Sequence, residues 1–305
     1  MAVTASMIKE LRELTGVGMS DCKKALVEVD GNIEKAVEFL REQGLAAAQK
    51  KAGRVAAEGL VKAYVEGNTG VVVEVNSETD FVSKNQIFID YVEEVAKSAV
   101  MTKATDIEGF LKDEWTFSEA ETVQDAVNAK IAVIGENLSL RRFGKIVAND
   151  GETLITYIHG GGKVAVLLHL VCEKSTDEVV EAGKNISMQI AAMNPKFVDK
   201  SEMSEEFISH EKEILTQQAL NEGTDPKFVD KKVIGRLNKQ LKEFCLLDQE
   251  YVKGDKQTVE AYVKEVSDAV GFDVKVKAFV RFETGEGIEK KEENFAEEVA
   301  KTMGA

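Results

Sequence analysis

Few side chains in this sequence have the types and spacing that bond-making chemistry needs. It holds three histidines, His159, His169 and His210, and three cysteines, Cys22, Cys172 and Cys245. The cysteines are odd in number and far apart, with no CxxC or Cys/His ligand spacing. Neither a zinc site nor a disulfide framework is therefore expected, and the thiols should be reduced and mostly buried. His169 lies in an apolar run and reads as a satisfied core or edge residue. No Walker phosphate loop or dinucleotide-binding glycine fingerprint is present. His159-Gly160-Gly161-Gly162 matches the oxyanion loop of some esterases, but that loop needs a G-x-S-x-G nucleophile turn, and the sequence has none. No enzymatic activity, cofactor or metal is expected.

Two loops carry side chains better suited to contact than to catalysis. Asn76-Ser77-Glu78-Thr79-Asp80-Phe81-Val82 falls between a strand signal and a helix signal, where a rigid frame displays side chains. In one reading Asp80 or Ser83 caps the helix and Phe81 packs inward. In the other, Asp80 and Phe81 form an acid-plus-aromatic wedge offered to a partner. Gly16-Val17-Gly18-Met19 forms a tight turn. It either exposes Val17 and Met19, as in the helix-1 to helix-2 loop of ubiquitin-associated modules, or folds one of them into a small core.

The elements that must position these loops follow from periodicity. Ile8, Leu11 and Leu14 fall on one face of a helix that Ser6 is placed to cap. Ser20 is placed to cap a second helix carrying Cys22, Ala25, Leu26 and Val29. Asn32 opens a third, with Ile33, Ala36, Val37 and Leu40 inward and Gly44 as its end, and Ala46 to Arg54 reads as a helical linker. From Glu58 the period changes. Leu60 to Val65, a turn at Gly67-Asn68-Thr69-Gly70 and Val71 to Val75 make a β-hairpin, followed by the Asn76 to Ser83 loop and a helix near Gln86 to Met101. The plan recurs as a strand at Leu154 to Ile158, the His159 to Gly162 turn, a strand at Val164 to Val171, a loop, and a helix near Asp177 to Met193.

Both prolines sit in a repeated hexapeptide, Pro195-Lys196-Phe197-Val198-Asp199-Lys200 and Pro226-Lys227-Phe228-Val229-Asp230-Lys231. Each copy is expected to start one arm of an antiparallel helical hairpin that turns at Asn221 to Asp225 and projects from the core. Val274 to Phe282 reads as a strand, and the tail as a short helix with Phe295 and Val299 one turn apart. The fold class is α+β. The expected divisions are a three-helix module over 1–54, core halves over 55–146 and over 147–193 with 248–284, an inserted hairpin over 194–247, and a C-terminal helix over 285–305.

Composition narrows the function classes. With 305 residues, 44% hydrophobic and 30% charged, the chain has room for two or more cores and little sign of disorder. No run approaches the ~20 apolar residues of a membrane span, and the amphipathic start lacks a signal-peptide core. No membrane association and a cytoplasmic location are expected. A formal net charge of −15 disfavours binding to nucleic acid, whose phosphates would repel it, and makes a protein partner the better expectation.

Four motifs, in order along the chain, resemble the elongation factor Ts family over essentially its whole length. They are Leu11-Arg12 through Thr15-Gly16-Val17-Gly18-Met19 with Asp21-Cys22-Lys23-Lys24-Ala25-Leu26; Val75-Asn76 with Thr79-Asp80-Phe81-Val82; Gly135-Glu136-Asn137 with Arg141-Arg142; and Arg281-Phe282-Glu283 with Gly285-Glu286-Gly287-Ile288-Glu289. The resemblance implies a ubiquitin-associated-like N-terminal module, a duplicated α+β core with antiparallel sheets, an inserted antiparallel helical hairpin and a C-terminal helix. It implies a guanine-nucleotide exchange factor whose partner is the GTPase elongation factor Tu. The Thr79, Asp80, Phe81 and Val82 loop would intrude near the partner's magnesium site, disturbing the residues that support the metal. His159 and Gly160 would touch another domain of the partner. The N-terminal module, with Val17 and Met19, and the C-terminal helix would lie against its GTP-binding domain. The resemblance also links the hairpin to pairing of complexes. A non-catalytic protein-binding adaptor is the alternative, and it would have no use for the Thr79 to Val82 loop.

Overall fold

The computed structural model describes residues 3–289. The helix expected in the C-terminal tail, with Phe295 and Val299, lies outside the described residues. The chain forms two compact units; their described parts are residues 3–62, 73–143 and 282–289, and residues 63–72 and 144–281.

The first unit begins with α1 (Ala5–Thr15), α2 (Met19–Glu28) and α3 (Ile33–Lys51). Their shared core is built from Leu11, Cys22, Ala25, Leu26, Ala36 and Leu40. Asn32 caps α3 by accepting the Lys35 N–H at 2.9 Å. The other expected caps differ. Thr4 caps α1, taking the Met7 N–H, and α2 starts behind Gly18 with no side-chain cap, so that Ser20 is already helical. Nor does Gly44 end α3, which continues through the expected linker to Lys51. Gly44 is buried where a Cβ would come within 3.5 Å of the Ala132 Cβ. That distance is ordinary van der Waals contact, so Gly44 is simply a buried position inside a helix that runs on past it.

The hairpin follows as β1 (Glu58–Glu66) and β2 (Thr69–Ser77), joined by Gly67-Asn68. Next come α4 (Asp80–Ser83), α5 (Gln86–Met101), α6 (Ile107–Phe110), α7 (Val123–Ile134) and β3 (Leu138–Val147). In the sheet β2 lies between β1 and β3, which leaves it buried almost throughout. A central strand of this kind shows a continuous valine run instead of alternation. On α5, Phe88, Tyr91, Val92, Val95, Ala96 and Ala99 are buried, the three- and four-residue spacing of one helix face.

The second sheet has the order β4 (Glu152–His159), β5 (Val164–Cys172), β6 (Val274–Glu283). Strands β4 and β5 pair antiparallel, from Glu152 opposite Val171 to His159 opposite Val164. Helices α8 (Asp177–Met193), α9 (Glu205–Asn221), α10 (Pro226–Phe244) and α11 (Val259–Val270) complete this unit. Its core joins Val166, Leu168 and Leu170 of β5 to Ile186 and Ile190 of α8 and to Val259 of α11. The α9–α10 hairpin has its own apolar seam, centred on Leu215, Ala219 and Val233.

Only one hexapeptide copy starts a helical arm. Pro226 is the first residue of α10, and Asp225 caps that helix. Pro195 begins an irregular segment, and α9 starts only at Glu205 behind the Ser204 cap. All three cysteines are free and buried. The mixed helix and sheet content agrees with the expected α+β class. Strand β3 and helices α7 and α11 were not expected from the sequence.

Candidate functional site

Strand β2 delivers the chain to the Thr79–Val82 loop, and α5 takes it away. Thr79 has extended backbone at the N-cap position of α4, but its side chain makes no cap. Its hydroxyl instead donates to Glu136 Oε1 at 2.6 Å, and its N–H donates to Glu136 Oε2 at 3.0 Å. The Ser77 hydroxyl donates to the Thr79 carbonyl at 3.0 Å. Neither Asp80 nor Ser83 caps α5, because Asn85 does so by accepting the Ile87 N–H. The Ser83 hydroxyl donates to the Asp80 carbonyl at 2.8 Å.

Asp80, Phe81 and Val82 point to different surroundings. Val82 is buried, whereas Phe81 is 79% exposed. An aromatic ring held in water on a single helical turn is an apolar surface without a partner. Asp80 carries its charge beside it, paired with Lys84 at 2.6 Å. Chemically the turn offers a blunt apolar tip and an adjacent carboxylate, with no nucleophile or general base aimed at a common point.

The backbone beneath the loop is tied through carboxylates. Glu78 Oε1 accepts the Asn137 N–H at 2.6 Å and lies 3.4 Å from Arg54 Nη1. Asn137 Nδ2 donates to the Arg54 carbonyl at 2.8 Å. Farther back on β2, Glu74 is fully buried. It accepts from Arg141 Nη1 at 3.1 Å, from Asn76 Nδ2 at 3.1 Å, from the Gly285 N–H at 2.7 Å and from Arg142 Nε. Arg142 also stacks over the Phe282 ring at 4.2 Å and pairs with Glu286. Gly285 has φ +73°, and a Cβ there would meet the Ala57 carbonyl oxygen at 2.1 Å, so only glycine fits this approach. Glu74, Glu78 and Glu136 had no individual role in the sequence reading. Acids near turns and strand ends are too common to stand out before their partners are known.

The other expected contact residues lie in separate turns. Between α1 and α2, Gly16 closes α1 in the left-handed region, and the Val17 N–H donates to Thr15 Oγ1. Val17 packs against the module's core while Met19 is 47% exposed, so the turn does one of each. The Cys22 thiol, whose pKa is raised chiefly by burial, donates to the Val17 carbonyl. In the second unit His159 and Gly160 are exposed at the β4–β5 turn. There the Lys163 N–H donates to the His159 carbonyl, and His159 Nδ1 is hydrogen-bonded to the Tyr157 hydroxyl at 3.0 Å. His169 is buried and donates from Nε2 to the Glu152 carboxylate at 2.8 Å, a satisfied core histidine.

Among the described residues no helix is long and apolar enough to cross a membrane, and no group of His, Cys, Asp and Glu is arranged to hold a metal. A family model described as Elongation factor TS matches residues 78–286. Over 303 residues the chain is 54% identical to "Elongation factor Ts" of Clostridioides difficile (strain 630), covering 99% of both chains. It is 52% identical over 303 residues, again 99% of both, to the proteins of that name from Clostridium tetani (strain Massachusetts / E88) and Clostridium novyi (strain NT).

Proposed function

The chain belongs to the elongation factor Ts family, and from that premise we propose that it drives GDP off elongation factor Tu during translation elongation. The observation that carries this reading is Phe81, 79% exposed beside the Asp80 carboxylate on a turn tied to the protein by Thr79. Inserted near the partner's magnesium site, this pair displaces residues that support the metal. Losing the cation that bridges and neutralises the phosphates weakens nucleotide binding. The protein makes and breaks no covalent bond; it acts through binding energy alone.

Exchange is reciprocal. A factor that weakens nucleotide binding is itself held less tightly by the nucleotide-bound partner, by the same ratio. A thousandfold weakening corresponds to roughly 4 kcal/mol, while burying one Phe side chain contributes about 1.5–3 kcal/mol before ordering costs. Phe81 therefore needs other contacts to hold it in place. The exposed Met19, the His159–Gly160 turn and the C-terminal tail supply them in this reading.

The test is release of a fluorescent GDP analogue from elongation factor Tu with magnesium present. Substoichiometric chain should accelerate release strongly. The double variant Asp80→Ala, Phe81→Ala should keep its fold and its contact with the partner yet accelerate release far less. Full activity in that variant would remove the wedge from the mechanism. A folded, partner-binding wild type that leaves release unchanged would reduce the protein to an adaptor.

A further inference from the structure

We propose, resting on the exchange reading, that Glu136 is a positioning residue that holds the Thr79–Val82 loop in its projecting posture. Gly135 ends α7 in the left-handed region, and the chain turns so that the next side chain, Glu136, reaches a residue 57 positions earlier. Both oxygens of its carboxylate are used on Thr79, one on the hydroxyl at 2.6 Å and one on the N–H at 3.0 Å. The neighbouring residues return the gesture, since Glu78 accepts the Asn137 N–H at 2.6 Å. Two adjacent residues on each side thus exchange carboxylates in a reciprocal clasp. Hydrogen bonds to a charged acceptor are roughly twice as strong as neutral ones.

The clasp adds a long-range tie to a loop otherwise held by local contacts: Val82 is buried, and the Ser77 and Ser83 hydroxyls donate to the Thr79 and Asp80 carbonyls. Helix α4 is four residues long, far below the ~12 at which an isolated helix holds together. It also lacks its own N-cap, because the hydroxyl that would cap it is drawn to Glu136. Phe81 is 79% exposed, so packing does little to aim it. Ser77 bonds the Thr79 carbonyl from within the same segment, and Glu136 is the contact that grips Thr79 from a distant part of the chain. Removing it should leave the unit folded but let Asp80 and Phe81 wander, so that ordering them is deferred to the encounter with the partner. A pre-organised tip raises the maximal rate of release, whereas a loose tip lowers it without loosening the remaining contacts.

Two measurements on the full chain decide this. Amide hydrogen exchange on the free protein should show the Thr79 N–H protected in wild type and exchanging about tenfold or more faster in Glu136→Ala, with β2 and α5 unchanged. Equal Thr79 exchange in the two proteins overturns the proposal, whatever the activity. In GDP release, Glu136→Ala should lower the maximal rate about tenfold while KM for the GDP-bound partner moves less than about twofold. Glu136→Gln, which keeps the shape and one acceptor oxygen, should fall between, and it carries both measurements if the alanine variant does not fold. On a Phe81→Ala background the same substitution should add less than about a further twofold loss, because its effect runs through the tip. A full additional loss there, or a rise in KM alone, would mean that Glu136 acts elsewhere. Wild type that fails to release GDP would sink the exchange reading, while the amide result would still judge the clasp.

Discussion

The Asp80 carboxylate is not free, since Lys84 holds it at 2.6 Å. Both side chains are substantially exposed, 48% for Asp80 and 71% for Lys84, and such a pair is worth about 0–1 kcal/mol. It is therefore a weak restraint on a group that, in the exchange reading, acts on another molecule. Lys84→Ala should shift stability by less than about 0.5 kcal/mol in thermal unfolding and leave exchange undiminished. A large loss of exchange would instead assign Lys84 a contact of its own. Glu74 is the opposite case. It is fully buried, accepts from two arginines, and takes the N–H of Gly285 as well. Its replacement by alanine strips the shared anion from Arg141 and Arg142, and should cost about 3 kcal/mol in denaturant unfolding. A cost near zero would mean that the arginines find equivalent partners in water.

Among the elements, the β4–β5 hairpin shows how charge is used to close a sheet end. Glu152, opposite Val171 at the start of β4, accepts from Lys277, from the Asn149 N–H and from His169. These bonds, Lys277 foremost, hold its carboxyl down at about 2 against an ordinary value of 4.5. As pH falls below 4.5 an unfolded chain protonates this glutamate while the folded chain resists. The unfolded state then binds more protons, so stability present above 4.5 is lost progressively toward pH 2. Glu152→Gln removes that contribution, and its acid unfolding curve between those pH values should be flatter than wild type. An unchanged slope would show that Lys277 and His169 impose no preference on the ionised form. The same scale explains the unequal fates of the repeated hexapeptide. In the first copy Phe197 bridges to Cys245, its N–H donating to the Phe244 carbonyl and its own carbonyl accepting the Leu246 N–H. In the second copy Pro226 opens α10 behind the Asp225 cap, and Phe228 is 62% exposed on that helix.

For the whole molecule the exchange reading predicts a division of labour with distinct kinetic signatures. Contacts that only hold the partner should change KM, and contacts that strain it should change the maximal rate. Met19→Ala, in the exposed turn of the first unit, should raise KM severalfold and leave the maximal rate of GDP release nearly unchanged. The opposite pattern would make Met19 part of the wedge. Most of the regular architecture was legible in the sequence, because periodicity, caps and turn residues are local: α5 and α8 begin and end where their patterns say. Strand β3 was not, since Arg141 and Arg142 break its apolar alternation for the sake of Glu74. Gly44 does not end α3 either, because the helix runs on through Leu45 to Lys51. The sequence by itself determined the α+β class, the family motifs and the identity of the loop that carries Asp80 and Phe81. Only the tertiary structure decided that Phe81 points outward, that Val17 turns in while Met19 turns out, and that Glu136 grips Thr79. The physical reason is that each of these depends on which distant side chain supplies the hydrogen bond or the packing surface, and local pattern does not encode that choice.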